Sequence, residues 1–166
     1  MKLVSPYELN DNVFDLIDKQ WMLITVGTLQ HHNTMTASWG GMGILWNKPV
    51  AFIFIRPQRH THQFVEQQHQ FTLSFFAPAY RDALTLCGTV SGRDRNKIAE
   101  TGLTPVPIGQ SVAFVEARMV MECTKLYAQN LEEDCFIDKS LIQKVYPTAD
   151  FHRMFIGEIE RVHIVE

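Results

Sequence analysis

Residues 50–62 read VAFIFIRPQRHTH, an uninterrupted apolar run followed at once by a polar turn with two arginines. The run is rich in β-branched and aromatic residues, which favours a buried strand over 50–55. Proline holds the preceding Arg56 in extended geometry, and a short helix is predicted over 61–69. A strand, a basic turn and a helix start in this order bring backbone amides and the positive end of a helix dipole to one place. The stretch therefore predicts an anion site, although a solvated basic loop would have the same composition.

Further β-forming segments flank this stretch on both sides. Residues 113–123 show the clearest pattern, because apolar side chains alternate with Glu116, Arg118 and Glu122 and so give one buried face. Near the end of the chain the alternation slips at Glu160, where a bulge would restore the register. Strands are predicted over 21–28, 35–45, 50–55, 71–76, 113–123 and 154–165.

Only short helical segments lie between the predicted strands. A first helix is expected after Ser5, which precedes a first-turn proline. Its apolar face would hold Val13, Phe14 and Ile17. None of the helices has the length of a crossover in a parallel sheet, and no glycine cluster fits GxGxxG or a P-loop, so we predict a mainly β fold, a mostly antiparallel barrel with peripheral helices. The other helices are predicted over 81–86, 96–101 and 138–145.

The composition is that of one ordinary globular domain, 1–166. Hydrophobic residues make up 46% of the chain and charged residues 20%, and 15 basic against 18 acidic side chains give a formal net charge of −3. Such a chain has no global basic field, so any anion site must be local. Three widely spaced cysteines fit no disulfide framework, and no signal peptide or membrane-spanning run is visible. These features predict a cytoplasmic protein.

A second segment of interest begins at Asn33 and reads NTMTASWG. Hydroxyl side chains at 34, 36 and 38 share one face of the predicted strand, where their small size would let a flat heterocycle approach the backbone. Trp39 would offer a stacking surface. The alternative is an ordinary solvent-facing strand with a core tryptophan.

A third segment, 88–97, reads GTVSGRDRNK and runs into a predicted helix. Its glycines and cations would let Ser91 and Lys97 wrap a phosphate or a ribityl chain. An exposed loop has the same composition. The histidines show neither HExxH nor spaced cysteine partners, and no GxSxG elbow occurs, so neither a metal site nor a hydrolase is expected.

Five motifs, NTMTASWG, VAFIFIRPQRHTHQF, FTLSFF, GTVSGRDRNK and DFHRMFIGEI, together resemble the flavin reductase-like family of FMN-binding split barrels. The resemblance spans about 21–159, and the family includes flavoredoxin-type and ferric reductase-type proteins. It implies a split β-barrel homodimer with FMN near the subunit interface and the phosphate on the turn after residue 55. The implied FMN contacts are Asn33, Thr34, Met35, Thr36, Ala37, Ser38, Trp39, Arg56, Gln58, Arg59, Thr61, Ser91, Gly92, Lys97 and His152.

The resemblance also implies a function. The expected reaction is NAD(P)H-dependent reduction of flavin, or electron passage through bound FMN to ferric complexes or a redox protein. Lys97 and His152 are the expected catalytic residues, placed near the flavin ring, and NAD(P)H would bind only transiently because no nicotinamide fingerprint is present. Two alternatives stay open: an FMN storage or binding protein without rapid turnover, and a barrel that binds single-stranded nucleic acid, which the acidic balance opposes.

Overall fold

The computed structural model describes residues 1–165, and Glu166 of the predicted domain lies outside the described residues. The strands of this part of the chain are β1 (Lys2–Val4), β2 (Met22–Gly27), β3 (His32–Ala37), β4 (Gly40–Leu45), β5 (Lys48–Ile55), β6 (Gln70–Phe76), β7 (Pro105–Ile108), β8 (Ser111–Phe114), β9 (Ala117–Asn130) and β10 (Arg153–Ile164). The α-helices are α1 (His60–Gln67), α2 (Arg81–Thr89), α3 (Lys97–Thr101) and α4 (Ser140–Val145). One π-helix, Asp15–Gln20, and 3-10 turns at Pro6–Glu8, Pro78–Tyr80 and Glu133–Cys135 complete the set.

One antiparallel sheet dominates the fold, in the order β3-β2-β6-β9-β10-β5-β4, with β1 beside β10. Its two outer strands, β3 and β4, follow each other in the chain and are joined by Ser38 and Trp39. They do not pair with each other, although side chains from both halves of the sheet meet in one core. The sheet is therefore a barrel that is open along a seam between β3 and β4.

Two hydrophobic layers hold the sheet in this shape. Met22, Ile24 and Val26 of β2 point into the barrel core with residues of β3, β5, β6, β9 and β10. Leu23, on the other face of β2, packs with α2 and with the β7–β8 hairpin. Because both faces are covered, β2 is buried along its whole length.

Strand β10 connects the two halves of the barrel. It pairs with β9 on one side, with β5 on the other, and at its end with β1. Its register against β9 shifts between Ile159 and Arg161, which confirms the bulge predicted at Glu160. A second shift follows Ile156, where Gly157 lies against the ring of Phe71.

Two of the predicted strands are wrong, because each is divided into two. The segment 35–45 breaks at the seam, between Ala37 and Gly40. The segment 113–123 breaks at an exposed turn, where β8 ends at Phe114 and β9 begins at Ala117. The apolar alternation of the sequence continues through Val115, which the structure leaves exposed at the turn, so the sequence pattern could not reveal the hairpin.

The predicted first helix is also wrong in its extent. The Ser5 cap forms, with the side chain of Glu8 returning to the backbone of Ser5, but the helix ends after one turn. Ile17 belongs to the separate π-helix, and Phe14 is 84% exposed instead of packing inward. Within residues 1–165 no helix is long and apolar enough to cross a membrane.

Candidate functional site

Three neighbouring cavities follow β3 from the seam towards the loop before α3. The first, which we call the seam cavity, has a volume of about 270 Å³ and opens where β3 and β4 separate. Trp39, half exposed, forms part of its wall, and its ring lies 5.3 Å from that of His152. The seam cavity is lined by Met35, Thr36, Ala37, Ser38, Trp39, Phe54, Arg56, Arg59 and His152.

The second cavity, the turn cavity, is narrower at about 130 Å³ and lies between the start of α1 and the end of α2. It shares Arg59 with the seam cavity, and it shares Lys97 with a third, the loop cavity of about 350 Å³ around residues 92–98. The three cavities therefore adjoin one another along β3, and we call them together the cleft. The turn cavity is lined by Gln58, Arg59, His60, Thr61, Gly88, Thr89, Val90, Ser91 and Lys97.

Two cations meet at the C-terminal end of α2, at the base of the turn cavity. Arg59 donates to the carbonyl oxygens of Gly88 at 2.9 Å and Cys87 at 3.3 Å. The ammonium of Lys97 donates to the carbonyl oxygens of Cys87 at 3.0 Å and Thr34 at 2.9 Å. Burial, with a smaller effect of the nearby Arg59 in the same direction, lowers the pKa of Lys97 to about 8. Both groups are held by carbonyl dipoles at the helix end, and neither forms an ion pair with a carboxylate of residues 1–165.

Arg56 has a different position from Arg59. Its guanidinium pairs with the carboxylate of Asp150, donates to the carbonyl of Val145 at 3.0 Å, and lies over the ring of Tyr146. The amide of Gln58 donates to Asp150 as well, at 2.6 Å. These hydrogen bonds lower the pKa of Asp150 to about 2, so its carboxylate stays charged and fastens the segment 145–150 to the turn after β5.

The two arginines of this turn differ in how far they extend along the cavities. Arg56 was expected to share a phosphate with Arg59; both line the seam cavity, and only Arg59 also lines the turn cavity, so a shared phosphate stays a prediction. The physical reason is that Arg56 pairs with Asp150, which lies in a distant part of the chain. Of the two arginines, only Arg59 reaches the cationic end of the cleft.

The hydroxyls of β3 bond to protein atoms, unlike the ligand-facing row expected from the sequence. Thr34 bonds through its hydroxyl to that of Thr25 at 2.9 Å, and Thr36 donates to the carbonyl of Leu84 at 2.5 Å. Asn33 donates through Nδ2 to the fully buried Thr61 hydroxyl at 2.7 Å. These bonds attach β3 to β2, α2 and α1. Asn33, Thr34 and Thr36 still line the cavities, but these side chains are already hydrogen-bonded to the protein.

His152 and Lys97 lie at different ends of the cleft, although both were expected beside a flavin ring. His152 lines the seam cavity, whereas Lys97 lies between the turn and loop cavities and is almost fully buried. Burial, together with the charge of Arg56, lowers the pKa of His152 to about 4. At neutral pH its ring is therefore uncharged. Of the two, only His152 is placed to touch a ligand in the seam cavity.

Several lining residues were not singled out from the sequence. Phe54 is one of an apolar run and carried no signal of its own. Tyr146 bonds to His152 but sits in a helix end without a recognisable motif. The glycine-rich loop was noticed, and Gly88, Thr89 and Val90 belong to the same stretch as the predicted Ser91 and Gly92.

We expect Gly92→Ala to lower the free energy of unfolding by about 1–3 kcal/mol. A Cβ at residue 92 would lie 2.0 Å from Oδ1 of Asn33 and would push this amide away from Thr61, leaving a buried hydroxyl without its partner. Urea unfolding measures the change. In a double-mutant cycle with Asn33→Ala, which vacates the space, the glycine substitution should cost less. An equal cost in both backgrounds would contradict the contact.

We expect His152→Gln to make the protein less sensitive to acid. Because the pKa of His152 falls from 6.5 to about 4 on folding, the unfolded chain binds a proton in this window that the folded chain does not. The free energy of unfolding of the wild type therefore decreases as the pH drops from 6.5 to 4, and the variant loses the contribution of this ring. Urea unfolding at a series of pH values measures how the free energy of unfolding depends on pH. His69→Gln, which replaces an exposed histidine, is the control. A variant with the wild-type pH slope would contradict the expectation.

Fold and cleft together define a class of protein: an antiparallel barrel, open along one seam, with a binding cleft that is cationic at one end and aromatic at the other. The chain belongs to the family described as flavin reductase like domain, whose model matches residues 15–166. This match confirms the resemblance stated from the five motifs. No curated protein sequence matches the chain.

Solved structures of this kind are similar over most of the chain. Flavoredoxin of Desulfovibrio vulgaris (Miyazaki F) is 24% identical, with a TM-score of 0.68, over 88% of this chain and 69% of its own. Flavoredoxin from Methanosarcina acetivorans is 18% identical, with a TM-score of 0.69, over 98% and 77%. Nitrilotriacetate monooxygenase component B from Bacillus cereus is 17% identical, with a TM-score of 0.69, over 100% and 82%. The mainly β split-barrel fold is therefore confirmed.

Proposed function

We propose that this protein binds FMN in the cleft along β3 and uses it as an oxidoreductase, accepting electrons from NAD(P)H and passing them to free flavin, a ferric complex or a redox protein. The single observation that supports this most is the position of Arg59, which lines both the narrow turn cavity and the seam cavity. FMN has a dianionic phosphate, a polar chain and a flat ring system in the same order. Related structures are described as FMN-binding proteins, among them one from Thermus thermophilus.

The residues of the turn cavity fit a phosphate monoester. Helix α1 begins there without a side-chain cap, so no capping side chain competes with an anion at its N-terminus, although the amide of His62 donates to the carbonyl of Arg59. Arg59 supplies a guanidinium and Lys97 a second positive charge, and neither pairs with a carboxylate within the part of the chain that the structure describes. Charged hydrogen bonds of this kind contribute about 1.5–3 kcal/mol each.

The seam cavity fits the planar end of the ligand. The exposed ring of Trp39, Phe54 and the backbone of β3 enclose a slot that would exclude water from one side of a flat heterocycle. Arg56, Arg59 and the uncharged His152 are among the polar groups that line it. A flavin held there supplies hydride and single-electron chemistry, while the chain positions it and sets its electrostatic surroundings.

A homodimer is part of the proposal. Strand β4 is an unpaired sheet edge with Ile44 exposed, and Trp46 at the following turn is exposed too. Uncovered edges and apolar side chains of this kind favour association between copies. Light scattering on the purified protein tests the oligomeric state, and a monomer at all concentrations would refute the dimer. A cytoplasmic location stays a prediction.

Flavin binding is tested by adding FMN to purified protein and recording the absorbance spectrum, then adding NADH or NADPH without oxygen. We expect a bound flavin that loses its visible absorbance with at least one nicotinamide. A flavin that binds and is not reduced would favour the storage protein instead. If FMN does not bind, the proposed function is wrong, and a salt-sensitive oligonucleotide shift would then favour nucleic-acid binding.

A further inference from the structure

His152 is held between Tyr146, in the segment that precedes β10, and Trp39 at the seam. Its Nδ1 lies 2.8 Å from the hydroxyl of Tyr146, and the two rings meet edge to face at 5.6 Å. Trp39 covers the ring from the seam side. Nε2 makes no hydrogen bond to any of residues 1–165, and His152 lines the seam cavity. One edge of the imidazole is therefore tied to protein, while the other is available to the cavity.

Tyr146 is itself fixed. Its ring lies between Phe136 and Phe151 at centroid distances of 5.8 Å and 4.9 Å, with the guanidinium of Arg56 5.2 Å from its centre. The side chain is buried, and its hydroxyl has one hydrogen-bonding neighbour among the described residues, Nδ1 of His152. The aromatic packing leaves the hydroxyl little freedom to choose another partner.

The direction of this hydrogen bond follows from counting donors. A neutral imidazole carries one N–H, on either Nδ1 or Nε2. If Nδ1 carried it, the buried hydroxyl proton of Tyr146 would have no acceptor, which is unfavourable. If Tyr146 donates, both groups are satisfied and the imidazole proton lies on Nε2. Burial raises the pKa of Tyr146, so this hydroxyl keeps its proton.

We propose that Tyr146 is a positioning residue that holds His152 in the Nε2–H tautomer, so that the seam cavity receives a hydrogen-bond donor at this point. The ring then acts as a neutral donor and does not carry a proton to or from the site. The acceptor in the cavity would be a carbonyl or ring nitrogen of the bound heterocycle, and this consequence rests on the proposed function. The tautomer itself is a property of the chain alone.

The tautomer is measured by ¹⁵N NMR of the histidine rings in the full-length, flavin-free protein at neutral pH, where protonated and unprotonated ring nitrogens have well separated shifts. We expect His152 to show a protonated Nε2 and an unprotonated Nδ1. In Tyr146→Phe, which retains the ring packing, both signals should move towards the average of the two tautomers. Tyr127→Phe is the matched control, because it removes a hydroxyl that donates to Gln129 elsewhere on the sheet.

A proton on Nδ1 in the wild type would overturn the proposal, and so would unchanged His152 signals in a folded Tyr146→Phe. The wild-type spectrum decides the first point even if the variant does not fold. With FMN bound, the variant should reduce flavin about 2- to 10-fold more slowly, while Tyr127→Phe keeps the wild-type rate. Because the NMR measurement needs no flavin, a failure of FMN binding would refute the proposed function and leave the tautomer assignment to its own test.

Discussion

Replacing Arg59 with glutamine is expected to weaken FMN binding by about 10- to 150-fold, the loss of one charged hydrogen bond. Arg59 is the residue common to the seam and turn cavities, and its guanidinium is held in place by the carbonyls of Gly88 and Cys87. Glutamine can still donate to one of these carbonyls, so the end of α2 is preserved while the charge is removed. Fluorescence titration of FMN with wild type and variant measures the ratio.

A matched control variant distinguishes a direct contact between Arg59 and FMN from a general effect of removing one positive charge. Arg161→Gln removes the same charge from β10, where the side chain is more than half exposed and lies 3.6 Å from Glu122, outside the cleft. Its FMN affinity should stay within about twofold of wild type, because an exposed charge at a distance is screened. Equal affinities for the Arg59 variant and the wild type would place the phosphate elsewhere.

Gly157→Ala is expected to lower the free energy of unfolding by about 1–3 kcal/mol through overpacking. A Cβ at this position in β10 would lie 2.6 Å and 2.7 Å from two ring atoms of Phe71 and 3.1 Å from Cβ of Cys123. All of these atoms belong to fully buried side chains of the barrel core, which cannot give way without disturbing their neighbours.

Urea unfolding of the wild type and four variants, the last a double variant, tests this expectation. Gly43→Ala is the control, since a Cβ added there in β4 meets nothing within 4 Å and should change stability far less. Phe71→Leu should partly relieve the clash, so Gly157→Ala should cost less in that background than in the wild type. If Gly157→Ala and Gly43→Ala were equally stable, the close approach of β10 to Phe71 would be refuted.

Local sequence pattern was sufficient for most of the barrel. The apolar run over 50–55, which lies in β5, and the slip at Glu160 each have a local cause, so both could be recognised without the structure. The seam could not. Residues on both sides of Ser38 have strand composition, and only the absence of pairing between β3 and β4 separates them. The hairpin before Ala117 was hidden for a similar reason, because alternation is the same on both arms of a tight turn.

For the site, the sequence motifs identified most of the lining residues but not the groups to which their side chains bond. Arg56 and Arg59 are three positions apart and looked equivalent, yet Asp150 captures one while the end of α2 takes the other. Thr34 and Thr36 looked free because their hydroxyl partners lie on β2 and α2. Lys97 was recognised as a cation of the loop, but its distance from His152 depends on how α3 packs against β3. Such assignments depend on contacts between distant segments, which residue type and spacing do not specify.

The position of β10 has a consequence for biosynthesis. This last described strand lies between β5 and β9, and it pairs with residues of β5 that are made about a hundred positions earlier. Until it emerges from the ribosome, the hairpin of β4 and β5 has no neighbour that connects it to the rest of the sheet. His152 directly precedes this strand, whereas Trp39 and Arg56 flank the early hairpin, so the seam cavity is complete only after β10 is in place. Pairing between strands that are far apart in the chain is slow, and a ligand would stabilise only the completely folded barrel.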